Sequence, residues 1–105
     1  MTDPRRHSVK TVTLTGFIQI PDADLEAVTE ELINHKLLTR QESGCLKFEV
    51  TQCNNDPHRF DVYEVFCGQS AFEAHQRRVK ASHWGKITAN ASRHYTVTPP
   101  LQTGE

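Results

Sequence analysis

The sequence predicts an α+β fold in which two helices cover one face of a four-stranded antiparallel sheet, in the order β-α-β-β-α-β. Three observations carry that expectation: four segments have the alternation or residue types of strands, two repeat apolar residues at helical spacing, and clusters of turn formers separate them. A chain of 105 residues has room for one hydrophobic core and one module.

The first strand is read over Val12 to Ile20, with Val12, Leu14, Gly16, Ile18 and Ile20 on one face and Thr11, Thr13, Thr15, Phe17 and Gln19 on the other. Pro21-Asp22 ends it. The acidic Asp22, Asp24 and Glu26 suit a helix N-terminus, and Leu25, Val28, Leu32 and either His35 or Lys36 recur at helical spacing, which places a helix from about Ala23 to about Thr39. Gln41 to Gly44 forms a turn, and Cys45 to Gln52 alternates again with Leu46, Phe48 and Val50 on one side. Cys53 to Pro57 is dense in turn formers, and Arg59 to Cys67, rich in aromatic and β-branched residues, closes a hairpin with the preceding strand. After Gly68, Ser70 is a candidate helix cap, and Phe72, His75 and Val79 share one stripe. A short helical continuation carries Trp84, Ile87 and Ala91, and Arg93 to Thr98 reads as the last strand.

This order is the ferredoxin-like split unit. Residues 1–10 form a polar leader, 11–98 the domain, and 99–105 a frayed tail or an arm that a partner orders. Phe17, Tyr63 and Val65 fall on the strand face opposite the core-facing residues, so a second copy is expected to cover the open sheet face.

A net charge of −1, with Arg5-Arg6 and Arg77-Arg78 far apart, argues against a nucleic-acid stripe. No apolar run approaches the roughly 20 residues that span a bilayer and the first ten residues have no apolar core, so no membrane partner and a cytoplasmic location are expected. Cys45, Cys53 and Cys67 make an odd count without a C-x-x-C pair, which reads as reduced, structural thiols. No H-x-x-x-H or other ligand spacing points to a metal, and neither a G-x-G-x-x-G nor a P-loop points to a nucleotide cofactor.

Glu64 is the most informative position, a carboxylate sharing its strand face with Phe60, Val62 and Phe66. Desolvation raises the pKa of such an acid unless a donor compensates it, and groups perturbed in this way concentrate at functional sites. The alternative is a strand-edge glutamate that reaches water or makes a structural hydrogen bond. His75, on the inward stripe with Phe72 and Val79, either meets Glu64 and moves a proton near neutral pH or is a satisfied core histidine. Trp84, the single tryptophan, lines an aromatic pocket or simply fills the core. His83 and His35 are weaker candidates. Arg40 is a candidate anion clamp, against the plainer reading of a helix-terminal charge or a surface ion pair.

Two segments resemble a known family. Arg40-Gln41-Glu42-Ser43-Gly44-Cys45-Leu46 resembles the R-x-E-x-G-C-L stretch of antibiotic-biosynthesis-monooxygenase domains, with Ser43 where proline is common. Arg59 to Phe66 followed by Ala71 to His75 resembles their second signature, an aromatic strand ending in Glu and then a helix with His. The resemblance spans roughly residues 11 to 98 and implies a homodimeric α/β barrel whose sheets face one another.

It also implies chemistry. Quinol and anthrone monooxygenases of this type use oxygen without flavin or metal: the substrate is deprotonated and its anion reduces oxygen. On this chain His75 would be the base, Glu64 its orienting partner, and Trp84, Phe17, Phe48 and Phe60 the pocket lining, with no cofactor. A second branch, an isomerase of a phosphorylated quorum-signal sugar, would use the same pair to shuttle a proton beside a carbonyl. A non-catalytic small-molecule-binding dimer is the third expectation. Haem-degrading relatives carry a first-strand Asn and a Trp-His pair. Here Gln19 is the nearest amide, His75 takes the Trp position and the spacing fails, so haem is not expected.

Overall fold

The computed structural model describes residues 11–99. The expected leader and residues 100–105 of the expected tail lie outside them. Strand β1 (Val12–Gln19) leads through a single 3-10 turn into helix α1 (Leu25–Arg40). Strands β2 (Cys45–Gln52) and β3 (Arg59–Phe66) form the hairpin, helices α2 (Gln69–Ala81) and α3 (His83–Ile87) follow, and β4 (Ser92–Thr98) ends the domain. All pairings are antiparallel, in the order β2-β3-β1-β4. This is the ferredoxin-like α+β arrangement expected from the strand and helix periods.

The core lies between the sheet and the helices. Val12, Leu14, Ile18, Phe48, Val50, Phe60, Val62 and Phe66 come from one sheet face, and Val28, Leu32, Phe72 and Trp84 come from the helices. On α1 the buried residues Val28, Leu32, His35 and Thr39 recur at intervals of three or four, so one stripe is inside, and between the two sequence alternatives His35 rather than Lys36 occupies it. On α2, Phe72 and His75 are buried, and Phe72 meets Phe66 edge to face at 5.7 Å.

Two local expectations are corrected. Leu46 does not join Phe48 and Val50: a register shift between Cys45 and Lys47 inserts one unpaired residue, and Leu46 is 59% exposed while Cys45 packs against the core. A bulge breaks strict alternation because two residues oppose one on the neighbouring strand. Ser70 makes no cap, since α2 starts at Gln69 without a side-chain capping bond. The side chain that does cap a helix here is Ser82, which accepts from the Gly85 N–H at the start of α3.

Two glycines are required by geometry. Gly16 has φ of 141° in mid-strand, where a Cβ would stand 2.0 Å from the His94 carbonyl oxygen. Gly44 lets the α1–β2 turn press against the start of α2, where a Cβ would stand 2.3 Å from that of Ala71.

Candidate active site

The turn that Gly44 permits is what brings Glu42 under α2. Glu42 N–H donates to the Thr39 carbonyl, Cys45 N–H to the Glu42 carbonyl, and Cys67 N–H to the Gly44 carbonyl, so the turn is pinned to both β3 and α1. The Glu42 carboxylate then receives His75 Nδ1 at 2.9 Å on Oε1 and the Arg78 Nε–H on Oε2. Arg78 also donates from Nη2 to Thr39 Oγ1 at 2.9 Å. An ion-paired carboxylate only accepts, so Nδ1 of neutral His75 carries the proton and Nε2 keeps its lone pair.

That free nitrogen points toward Glu64, with 3.8 Å between Nε2 and Oε1, too long for a direct hydrogen bond. Glu64 stands opposite Leu14 on β1 and Phe48 on β2, and its Oε1 has no hydrogen-bond partner. Burial, with a smaller contribution from the Glu42 charge, pushes the Glu64 pKa up to about 8, so the group is largely a neutral acid at pH 7. Burial lowers the pKa of His75, while Glu42 opposes that shift.

An aromatic wall completes the cluster. His35 stacks on Trp84 with ring centroids 4.4 Å apart and planes within 1°, and meets Phe48 edge to face at 5.3 Å. Burial drives the His35 pKa down to about 3, helped by His75, Arg78 and Arg93, and its Nδ1 has no hydrogen-bond partner. Tyr95 closes the β4 side, its phenol pushed up to about 12 chiefly by burial.

These groups line an interior cavity of about 50 Å³, bounded by His35, Phe48, Glu64, His75, Trp84 and Tyr95 among others. Outside it lies a groove of about 420 Å³ lined by Gln76, Arg77, Val79, Lys80, Gly85 and Arg93. Gln76, Val79 and Arg93 belong to both, so they form the partition between groove and cavity.

Of the residues singled out from the sequence, His75, Glu64, Trp84 and Phe48 come together. Three do not. Phe17 lies on the opposite sheet face, stacked on His94 at 4.6 Å with the Arg59 guanidinium 3.9 Å from its ring centre. Phe60 is buried in the core but does not line the cavity. Arg40 donates from Nε and Nη2 to the Phe48 carbonyl at 3.2 and 2.7 Å, which ties the end of α1 to β2 away from the cavity.

The expected partnership is also revised, because Glu42 rather than Glu64 makes the hydrogen bond that orients His75. Glu42 stands inside the first family-like stretch, two residues after Arg40. His35 was undervalued, and its signal was its helical phase with Val28 and Leu32. Among the described residues no group of three His, Cys, Asp or Glu side chains is placed to hold a metal ion, and Cys45, Cys53 and Cys67 are free thiols.

Fold and site together define a small ferredoxin-like α+β domain with an acid and a histidine buried between sheet and helices. The family model described as antibiotic biosynthesis monooxygenase matches residues 11–86, and the chain belongs to that family. Similar solved structures include a candidate antibiotic biosynthesis monooxygenase from Nitrosomonas europaea, at 22% identity and a TM-score of 0.69, covering 89% of this chain and all (100%) of the other. A second candidate of that description, from Deinococcus radiodurans, has 16% identity and a TM-score of 0.71, covering 91% and 97%. A possible oxidoreductase from Bacteroides thetaiotaomicron has 15% identity and a TM-score of 0.67, covering 86% and 97%. At these identities the likeness is one of fold. Among curated proteins none matches the chain.

Proposed function

We propose that the protein is a cofactor-independent monooxygenase that oxidises a small quinol- or anthrone-like substrate with molecular oxygen. The observation that carries this reading is the disposition of His75, whose tautomer Glu42 sets so that a lone pair on Nε2 faces the cavity beside the neutral acid Glu64. Nε2 takes a proton from the substrate and leaves an electron-rich anion. Glu64 then serves as a donor toward the oxyanion that develops, in surroundings dry enough to strengthen that bond.

The balance is simple. The substrate loses two hydrogens and gains one oxygen atom, and the second oxygen atom of O2 leaves as water. All electrons come from the substrate anion. An apolar cavity of roughly 150 Å³ takes up a benzene ring, so the 50 Å³ interior space does not hold the substrate ring as it stands. The ring lies in the outer groove and reaches His75 when Val79 and Gln76 swing aside.

The test is oxygen uptake with a panel of hydroquinones and anthrones, using His75→Ala and boiled protein as controls. Uptake above autoxidation that disappears in the variant is the expected result. The absence of uptake with every substrate would sink the oxygenase and favour proton shuttling beside a carbonyl, for which the same His75–Glu64 pair serves.

We further infer a homodimer formed through the outer sheet face, supported by the 40% exposure of Tyr63 and by Phe17 and Val65, which are only half covered there. Sedimentation of the protein and of Tyr63→Arg tests it. A monomeric parent overturns it.

A further inference from the structure

The groove outside the cavity is cationic on both sides. Arg77 and Lys80 stand three residues apart on α2, which puts them on one helix face, and Arg93 approaches from β4. No carboxylate lines the groove, and among the described residues none of the three cations is in a salt bridge. Lys80 near the end of α2 is accounted for by the helix dipole. Arg93 is not, because it lies on a strand, and its guanidinium donates to neutral oxygens, Thr88 Oγ1 at 2.7 Å and the Thr88 carbonyl at 3.2 Å, and interacts with the Tyr95 phenol.

The two Thr88 bonds matter because they hold the guanidinium in one orientation. Arg93 also reaches the inner site electrostatically, since its charge adds to the lowering of the His35 pKa and works against the burial that raises Tyr95. Of the three groove cations it is the one that also lines the cavity, so it stands between a ring in the groove and the inner site.

We propose that the groove binds an oxyanion group of the substrate, a carboxylate or a phosphate monoester, through Arg93 with Arg77 and Lys80, so that the substrate is an acidic quinol rather than a neutral one. This rests on the placement of the substrate ring in the groove under the proposed function. The charged group stays at the groove mouth while the hydroxyl-bearing edge of the ring turns inward. Charge-assisted bonds to a guanidinium are stronger than neutral ones, so the anion supplies much of the affinity and fixes which edge of the ring faces Nε2.

The test is binding under nitrogen, which separates recognition from turnover. Trp84 is the only tryptophan and adjoins the groove residue Gly85, so its fluorescence reports occupancy. The probes are 2,5-dihydroxybenzoate, 4-hydroxyphenyl phosphate and hydroquinone. At least one acid is expected to bind about tenfold more tightly than hydroquinone, with the preference shrinking as salt is added. The two acidic arms distinguish carboxylate from phosphate.

Arg93→Gln should erase the preference. Because that change also removes the Thr88 bonds, the exposed pair Arg77→Gln/Lys80→Gln is measured beside it and should weaken acid binding while leaving the thermal midpoint unchanged. Equal affinities for all three probes, no binding by either acid, or an undiminished preference in both variants overturns the proposal. Acid binding without any oxygen uptake keeps this inference and sinks the oxygenase, whereas uptake confined to neutral quinols does the reverse.

Discussion

Nδ1 of His75 lies 2.9 Å from Oε1 of Glu42, a contact made across 33 residues of sequence. It decides which imidazole nitrogen is free, and Arg78 on the other carboxylate oxygen keeps Glu42 from turning away. In the proposed reaction the pair is a base with its orienting carboxylate, while Glu64, 3.8 Å from the other ring nitrogen, is a separate neutral donor.

Glu42→Gln is therefore expected to lower kcat by about 100-fold with a much smaller change in KM, because the amide either accepts or donates and no longer enforces one tautomer. Steady-state oxygen uptake checks this, with the thermal midpoint as a control for folding. An unchanged kcat would show that His75 needs no orienting partner.

The proposed reaction requires neutral His75 and protonated Glu64, so kcat/KM should be bell-shaped. The acid limb falls below 6.5 because the His75 pKa is lowered, and the alkaline limb falls near 8, where Glu64 ionises. Glu64→Gln keeps a donor that cannot ionise. A pH–rate profile of this variant should lose the alkaline limb and keep the acid one.

Glu64 also links stability to pH. Its folded pKa of about 8 lies above the unfolded value of 4.5, so the folded state holds the extra proton between those values and stability falls as pH rises through that window. Urea midpoints should show Glu64→Gln equal to the parent at pH 4 and more stable at pH 9, by on the order of a few kcal/mol.

His35 has the opposite sign. Its folded pKa of about 3 lies below the unfolded 6.5, so the stability tied to its neutral form is present above 6.5 and is lost as pH falls toward 3. His35→Phe keeps the stack on Trp84 and removes the titration. Its denaturation midpoint should decline less than that of the parent between pH 6.5 and pH 4, and an identical decline would assign acid sensitivity to other groups.

Gly44→Ala should cost about 1–3 kcal/mol, because the new methyl group meets Ala71 and the turn must move. The same movement shifts Glu42, so activity measured well below the melting temperature should fall as well. Destabilisation with full activity would show that the turn does not position the site.

Much of the architecture was legible from local pattern. Period-two and helical repeats identify each element and the face it buries, because burial acts on every residue of a segment in phase. Glu64 alone among Phe60, Val62 and Phe66, and His75 in phase with Phe72 and Val79, were visible on those grounds.

Contacts between elements were not. That Glu42 rather than Glu64 bonds His75 depends on the path of a four-residue turn between α1 and β2 and on the absence of a Cβ at Gly44. Leu46 turns outward because one bulged residue breaks the alternation from which its side was read. Phe17 was on the far face by its own parity, yet aromatic character suggested a pocket residue, and the tertiary structure placed it against His94 and Arg59. The sequence by itself determined the elements and, bulges apart, the face each one buries, since that is a property of each segment. Which residues meet was decided only by the tertiary structure, since register, bulges and turns set distances between segments that no local period contains.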